Sequence, residues 1–108
     1  MSLITKTTDT WWVKIFLSGP IETAKQIIRE DVLKEGLCVT IEPTTFIYTG
    51  GEETGYVVGL INYPRFPANA ETITARAEDL ALKLLTGTHQ QSVLIMTPTS
   101  TKWLTSRQ

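Results

Sequence analysis

Few residues in this sequence could do chemistry on their own. It carries one cysteine, Cys38, and one histidine, His89. Thiolate and imidazole are metal ligands, and such a pair contributed across subunits suits copper or another divalent cation. One of each cannot close a zinc site without further ligands. His89 could equally serve as a general base, or complement a helix C-terminus electrostatically. Cys38 stands between Leu37 and Val39, where a lone thiol is expected to be a small buried hydrophobe. Glu52-Glu53 reads as a solvated hairpin tip. Asp79 and Lys83 read as an i,i+4 helix pair worth roughly a few tenths of a kcal/mol. Gly50-Gly51 has no helix or lysine after it, so it is not a phosphate-binding loop. Ser and Thr are abundant and unpatterned, and no Ser-His-Asp arrangement can be argued. No catalytic residue is assigned, and the reading leans toward a protein that is not an enzyme.

The elements that must position these residues follow from periodicity. Trp11–Ser18 is rich in aromatic and β-branched residues and is predicted as a strand, broken by Ser18-Gly19-Pro20. A helix is predicted over Glu22–Glu35, with Ile21, Ala24, Ile28 and Val32 on one stripe and Gly36 as its stop. Leu37–Ile41 is a second strand that Pro43 interrupts, with Phe46–Tyr48 as its continuation past a bulge or bend. Gly50-Gly51 turns the chain into a third strand over Thr54–Tyr63. Asn69 is the expected N-cap of a second helix over Ala70–Thr86, whose apolar stripe is Ile73, Ala77, Leu80, Ala81 and Leu84. Ser92–Thr97 is the fourth strand. Residues 1–10 are read as a flexible arm and residues 99–108 as a tail.

The order strand, helix, strand, strand, helix, strand predicts one α+β domain over residues 1–108. Its architecture is a ferredoxin-like β-α-β-β-α-β sandwich, a mixed four-stranded sheet with both helices on one face. The uncovered face should then be polar in a monomer. Alternation says otherwise. Trp12 and Phe16 share a side of the first strand, and Val57 and Ile61 a side of the third. An apolar face of that extent marks an interaction surface. Trp12, Phe16, Tyr48, Val57 and Ile61 are therefore predicted to form the interface of a homo-oligomer, the alternative being that the tail around Trp103 or the N-terminal arm folds over that face.

Composition narrows the partners. The net charge is −1, from 10 basic and 11 acidic residues, and the basic ones are scattered. This pattern argues against nucleic acid and against a polybasic membrane mode. The sequence has no apolar run of membrane-spanning length, and its polar N-terminus lacks the apolar core of a secretory signal. A cytoplasmic location is the expectation.

The stretch from Val13 to Tyr48 resembles the CutA-type divalent-cation tolerance family. The resemblance is carried by Ser18-Gly19-Pro20, by Glu22-Thr23-Ala24, and above all by Leu37-Cys38-Val39-Thr40-Ile41-Glu42-Pro43 with Tyr48 downstream. His89 matches the first residue of the family's His-Pro-Tyr signature. Thr40 stands where the family has Asn, Gly50 where it has Trp, Asn62 where it has Lys, and Gln90-Gln91 where it has Pro-Tyr. The resemblance implies a homotrimer with a binding or assembly role toward divalent or copper ions, with Cys38 and His89 as the metal candidates. Two other functions suit the same architecture. One is a PII-like signalling module that binds a nucleotide or another small molecule between subunits. The other is a small ferredoxin-like barrel enzyme with His89 or Tyr63 in its cavity.

Overall fold

The computed structural model describes residues 1–35 and 38–107. The expected helix stop at Gly36 and strand start at Leu37 lie outside the described residues. The elements run β1 (Trp12–Ser18), α1 (Ile21–Glu35), β2 (Thr40–Tyr48), β3 (Gly51–Ile61), α2 (Ala70–Gly87), β4 (Ser92–Met96) and β5 (Thr101–Thr105). They form an α+β layout of two helices against one five-stranded sheet of order β2-β3-β1-β4-β5.

Two expectations need correction here. The sheet is antiparallel at every pairing, not mixed. β1 and β2 do run the same way, but β3 inserts between them and opposes both. The sheet also has five strands rather than four. The segment read as a tail turns back at Thr97, whose N–H donates to the Ser100 carbonyl at 2.8 Å. It then pairs with β4 from Met96↔Thr101 to Ser92↔Thr105. β4 offers an unpaired edge there, and β-branched and aromatic residues fit it.

The core lies between the sheet and the helices. Val13, Ile15 and Leu17 of β1 and Tyr56, Val58 and Leu60 of β3 face it, as do Val93 and Ile95 of β4. The buried residues of α2 are Ile73, Ala77, Leu80, Ala81 and Leu84, the whole predicted stripe. Each large side chain among these contributes roughly 1.5–3 kcal/mol through its burial. Asn69 caps α2, its side chain accepting from the Thr72 N–H at 2.8 Å. At the other end the helix runs through Gly87. His89, not Gly87, takes the left-handed turn after it, at φ 55°, and its N–H donates to the Thr86 carbonyl at 3.2 Å. The buried Asp31 of α1 accepts from Lys83, which also pairs with Asp79 at 2.9 Å. Lys83 is thus more than the i,i+4 partner expected, because it ties α1 to α2.

Pro43 does not interrupt β2. It pairs with Tyr56 in a register that runs unbroken from Thr40↔Gly59 to Tyr48↔Gly51. β2 is an edge strand, the place where a missing N–H is tolerated. Gly50, at φ 91°, supplies the turn at the hairpin tip. β3 ends at Ile61, and Tyr63 instead forms an isolated bridge with Phe66. The β2–β3 hairpin outruns β1, whose last partner is Gly55. The longest dimension of the chain is 53 Å. The arm is anchored at its end, where the Asn62 side chain donates to the Thr8 hydroxyl and the Asp9 carbonyl. Among the described residues no helix is long and apolar enough to cross a membrane.

Candidate functional site

The site is built on the sheet face away from the helices. Strand alternation puts Trp12, Lys14, Phe16 and Ser18 there from β1, and the register places Gly59, Val57 and Gly55 of β3 opposite the last three. Leu94 and Met96 of β4 join opposite Phe16 and Lys14, and Trp103 of β5 stands opposite Leu94. Phe46 of β2 lies across from Glu53. Lys14 Nζ sits 5.4 Å from the Trp12 ring, a cation–π contact at the far end of this face.

At the near end, Phe16, Ser18, Phe46, Ser92, Leu94 and Trp103 border an open groove of about 250 Å³. The groove depends on Gly55. A Cβ there would lie 2.5 Å from the Phe46 ring and 2.3 Å from the Leu17 carbonyl oxygen. The missing side chain lets the ring lie across the sheet.

A carboxylate sits near the tip of the hairpin, bonded to the groove residue Ser18. Glu53 Oε2 accepts from the Ser18 hydroxyl at 2.7 Å, and Oε1 accepts from the Tyr48 hydroxyl at 3.2 Å. The Tyr48 ring reaches Glu53 by lying over Gly51. Partial desolvation, and then the Glu53 carboxylate as a negative neighbour and hydrogen-bond acceptor, raise the Tyr48 phenol above its ordinary pKa, while Arg107 pulls the other way. Tyr48 therefore remains a proton donor to Glu53 at neutral pH. On the β4–β5 side, the Ser92 and Thr105 hydroxyls lie 2.8 Å apart. The Arg107 N–H donates to the Thr105 hydroxyl at 3.0 Å, and its Nε donates to Gln91 Oε1 at 3.0 Å. The groove thus has aromatic walls, with an oriented carboxylate bonded to its Ser18 and a cation linked through Thr105 to its Ser92. That chemistry suits a cationic or zwitterionic ligand with a flat ring system.

The five predicted interface residues all lie on this face. Phe16 borders the groove, Val57 stands opposite it, and Trp12 pairs with Ile61 further along. Tyr48 and Ile61 are 52% and 58% exposed, so a large apolar area is open on this face. Cys38 and His89 are not brought together. Cys38 lies beside Leu60, Ile61, Tyr63 and Arg76. His89 follows the other end of α2, and the helix rises about 16 Å between Arg76 and Gly87 alone. Among the described residues no group of three or more His, Cys, Asp or Glu gathers that could hold a metal ion. Cys38 is exposed, not buried as expected, because it precedes β2 at the uncovered edge of the sheet.

Phe46, Ser18, Trp103 and Arg107 were not assigned to a site by sequence reasoning, and Glu53 was read as a solvated hairpin tip. One signal was present. A turn at Thr49-Gly50 sets Tyr48 against Gly51 and Phe46 against Glu53, so pairing from the turn places Tyr48, Phe46 and Glu53 on one face.

The chain is a small α+β protein with an open-faced, aromatic-lined groove, and solved structures share that fold. A phage SAM lyase in its apo state matches with a TM-score of 0.73 at 17% identity, over 99% of this chain and 98% of that one. A phage SAM lyase in complex with S-methyl-5'-thioadenosine matches with a TM-score of 0.65 at 14% identity, over 97% of both chains. CutA from Synechococcus elongatus PCC7942 follows the fold only loosely, with a TM-score of 0.45 at 19% identity over 87% of this chain and 80% of that one. No protein-family model matches the sequence. No curated protein matches it either.

Proposed function

We propose that this chain binds S-adenosylmethionine in the groove beside Glu53 and cleaves it with release of S-methyl-5'-thioadenosine. The observation that carries this reading is the Glu53 carboxylate, held by Ser18 and Tyr48 at the mouth of an aromatic groove. The end-to-end likeness to the phage SAM lyases supports it. S-adenosylmethionine carries a flat adenine and a sulfonium cation. Phe16, Phe46 and Trp103 offer ring faces for both, and Glu53 supplies a negative charge for the cationic amino-acid end of the ligand. When the carbon–sulfur bond of the amino-acid limb breaks, its electron pair goes to sulfur, and a carboxylate oxygen of the same limb bonds to the carbon left behind, closing a five-membered lactone. The departing thioether is neutral and needs no proton. The task left to the site is binding and orientation, which alone can lower a barrier substantially.

Assembly belongs to the same proposal. The open face and the protruding hairpin are the surfaces through which a homotrimer would form, with the groove near the subunit boundary. The motivation is the exposed apolar area at Ile47, Tyr48, Ile61 and Trp103. A copper or divalent-cation role for Cys38 and His89 would require the two to come from different subunits. The test is incubation of the purified protein with S-adenosylmethionine and chromatography of the products. Release of S-methyl-5'-thioadenosine that Glu53→Gln lowers about 100-fold supports the reading. Absence of turnover, together with no binding of either nucleoside, removes it.

A further inference from the structure

We propose that Arg107, braced by Gln91, binds the carboxylate of the ligand's amino-acid limb and so makes the site selective for the intact zwitterion over the bare thionucleoside. The inference rests on the groove being a site for S-adenosyl compounds. Two charges at this end of the face are held by neutral partners. Both Glu53 oxygens accept hydrogen bonds from neutral hydroxyls, those of Ser18 and Tyr48. Arg107 bonds through Nε to the neutral Gln91 amide. Among the described residues the ion pairs are Lys25–Glu22, Lys83–Asp31, Lys83–Asp79 and Lys102–Glu78, and neither Glu53 nor Arg107 takes part in one. An anion and a cation thus lie next to groove-lining residues, Glu53 bonded to Ser18 and Arg107 tied through Thr105 to Ser92, each oriented by neutral partners and not paired with the other.

The brace on Arg107 is specific. Gln91 receives the Arg107 Nε–H on its side chain at 3.0 Å and the Ser106 N–H on its main-chain carbonyl at 2.8 Å. The Arg107 N–H is held by Thr105, which touches the groove residue Ser92. The exit of β5 is therefore clamped to the start of β4, and the guanidinium stem is fixed at Gln91, near enough to Tyr48 that its charge pulls the phenol pKa down. With Nε occupied, the terminal nitrogens remain to donate to an anion. A planar guanidinium suits a carboxylate better than a lysine ammonium does. An α-amino acid presents a carboxylate and an ammonium on one carbon. Glu53 on the ammonium side and Arg107 on the carboxylate side match that pattern. S-methyl-5'-thioadenosine lacks the limb and uses neither charge in this way.

The experiment is calorimetric titration of the full chain with two nucleosides that are not cleaved. S-adenosylhomocysteine carries the amino-acid limb, and S-methyl-5'-thioadenosine does not. Arg107→Gln should weaken S-adenosylhomocysteine about 10- to 100-fold, the range for a lost charge-assisted hydrogen bond, and leave S-methyl-5'-thioadenosine unchanged. Arg107→Lys should recover only part of the loss. Equal weakening of both nucleosides would assign Arg107 a purely structural role and overturn the proposal, as would no change in either. If the wild type binds S-methyl-5'-thioadenosine but not S-adenosylhomocysteine, the groove reading survives and the Arg107 role falls. If it binds neither, the groove reading itself fails and the Arg107 role falls with it.

Discussion

The Tyr48 hydroxyl donates to Glu53 Oε1 at 3.2 Å, across a hairpin turn that contains only Thr49 and Gly50. The contact joins the two edges of a tight turn and orients a carboxylate toward an aromatic groove. Glu53→Gln should lower turnover of S-adenosylmethionine by about 100-fold, the scale for removing an oriented electrostatic partner. Tyr48→Phe should lower it by about 10-fold through loss of one charge-assisted hydrogen bond. The pH dependence has a definite sign. The phenol pKa is raised, first by desolvation and then by Glu53. The stabilising contact is therefore intact below the unfolded tyrosine value and is lost as pH rises through the folded one. Wild-type activity should stay level from neutral pH to about pH 9, as read from initial rates. A decline over that range that Tyr48→Phe removes would contradict this assignment.

Gly55 is required by the close approach of Phe46 and the Leu17 carbonyl. Gly55→Ala should cost about 1–3 kcal/mol by overpacking, measured by chemical denaturation. It should also weaken nucleoside binding, since the Phe46 ring must move. A variant of wild-type stability with unchanged binding would show that the ring does not form the groove.

The helices are held together at Lys83. Its Asp31 partner is 3% exposed, so removing the cation strands a buried carboxylate. Lys83→Met should lower the melting temperature by roughly 5 °C or more, and adding Asp31→Leu should restore much of the loss. The Lys83 pKa is raised by its hydrogen bonds to Asp31 and then Asp79. The contribution is therefore present below the unfolded lysine value of about 10.4 and disappears as pH rises through the folded value. The gap between wild type and Lys83→Met should close in strongly alkaline buffer. Melts across pH decide this, and a constant gap would contradict it.

Much of the framework was legible because burial alternates locally. The α2 stripe and the inward set Val13, Ile15 and Leu17 are written in spacing alone. β5 was not legible. Thr101–Thr105 has one Lys and no aliphatic run, and it is a strand because β4 offers it an edge. Pro43 misled for a related reason, since its tolerance depends on β2 being outermost. The groove was hidden because Glu53 acquires meaning only through register. Its partners Ser18, Tyr48 and Phe46 come from two other strands. Cys38 and His89 drew attention as rare residue types, yet the fold sends them to different ends of α2.

Assembly through the open face is tested by Phe16→Glu. Phe16 stands between Val57 and Leu94 on that face, and an unpaired charge buried there is costly. The wild type should run as a homotrimer by light scattering, and the variant as a monomer or an insoluble species. A variant that stays a well-folded trimer with unchanged melting would place the interface elsewhere.

The lyase reading is decided by one assay, incubation of S-adenosylmethionine with wild type and with Glu53→Gln, followed by quantification of S-methyl-5'-thioadenosine. The prediction is catalytic release by the wild type, many product molecules per chain, and about 100-fold less from a folded Glu53→Gln variant. Product from the wild type at no more than the spontaneous rate, or equal release by both proteins, would contradict it.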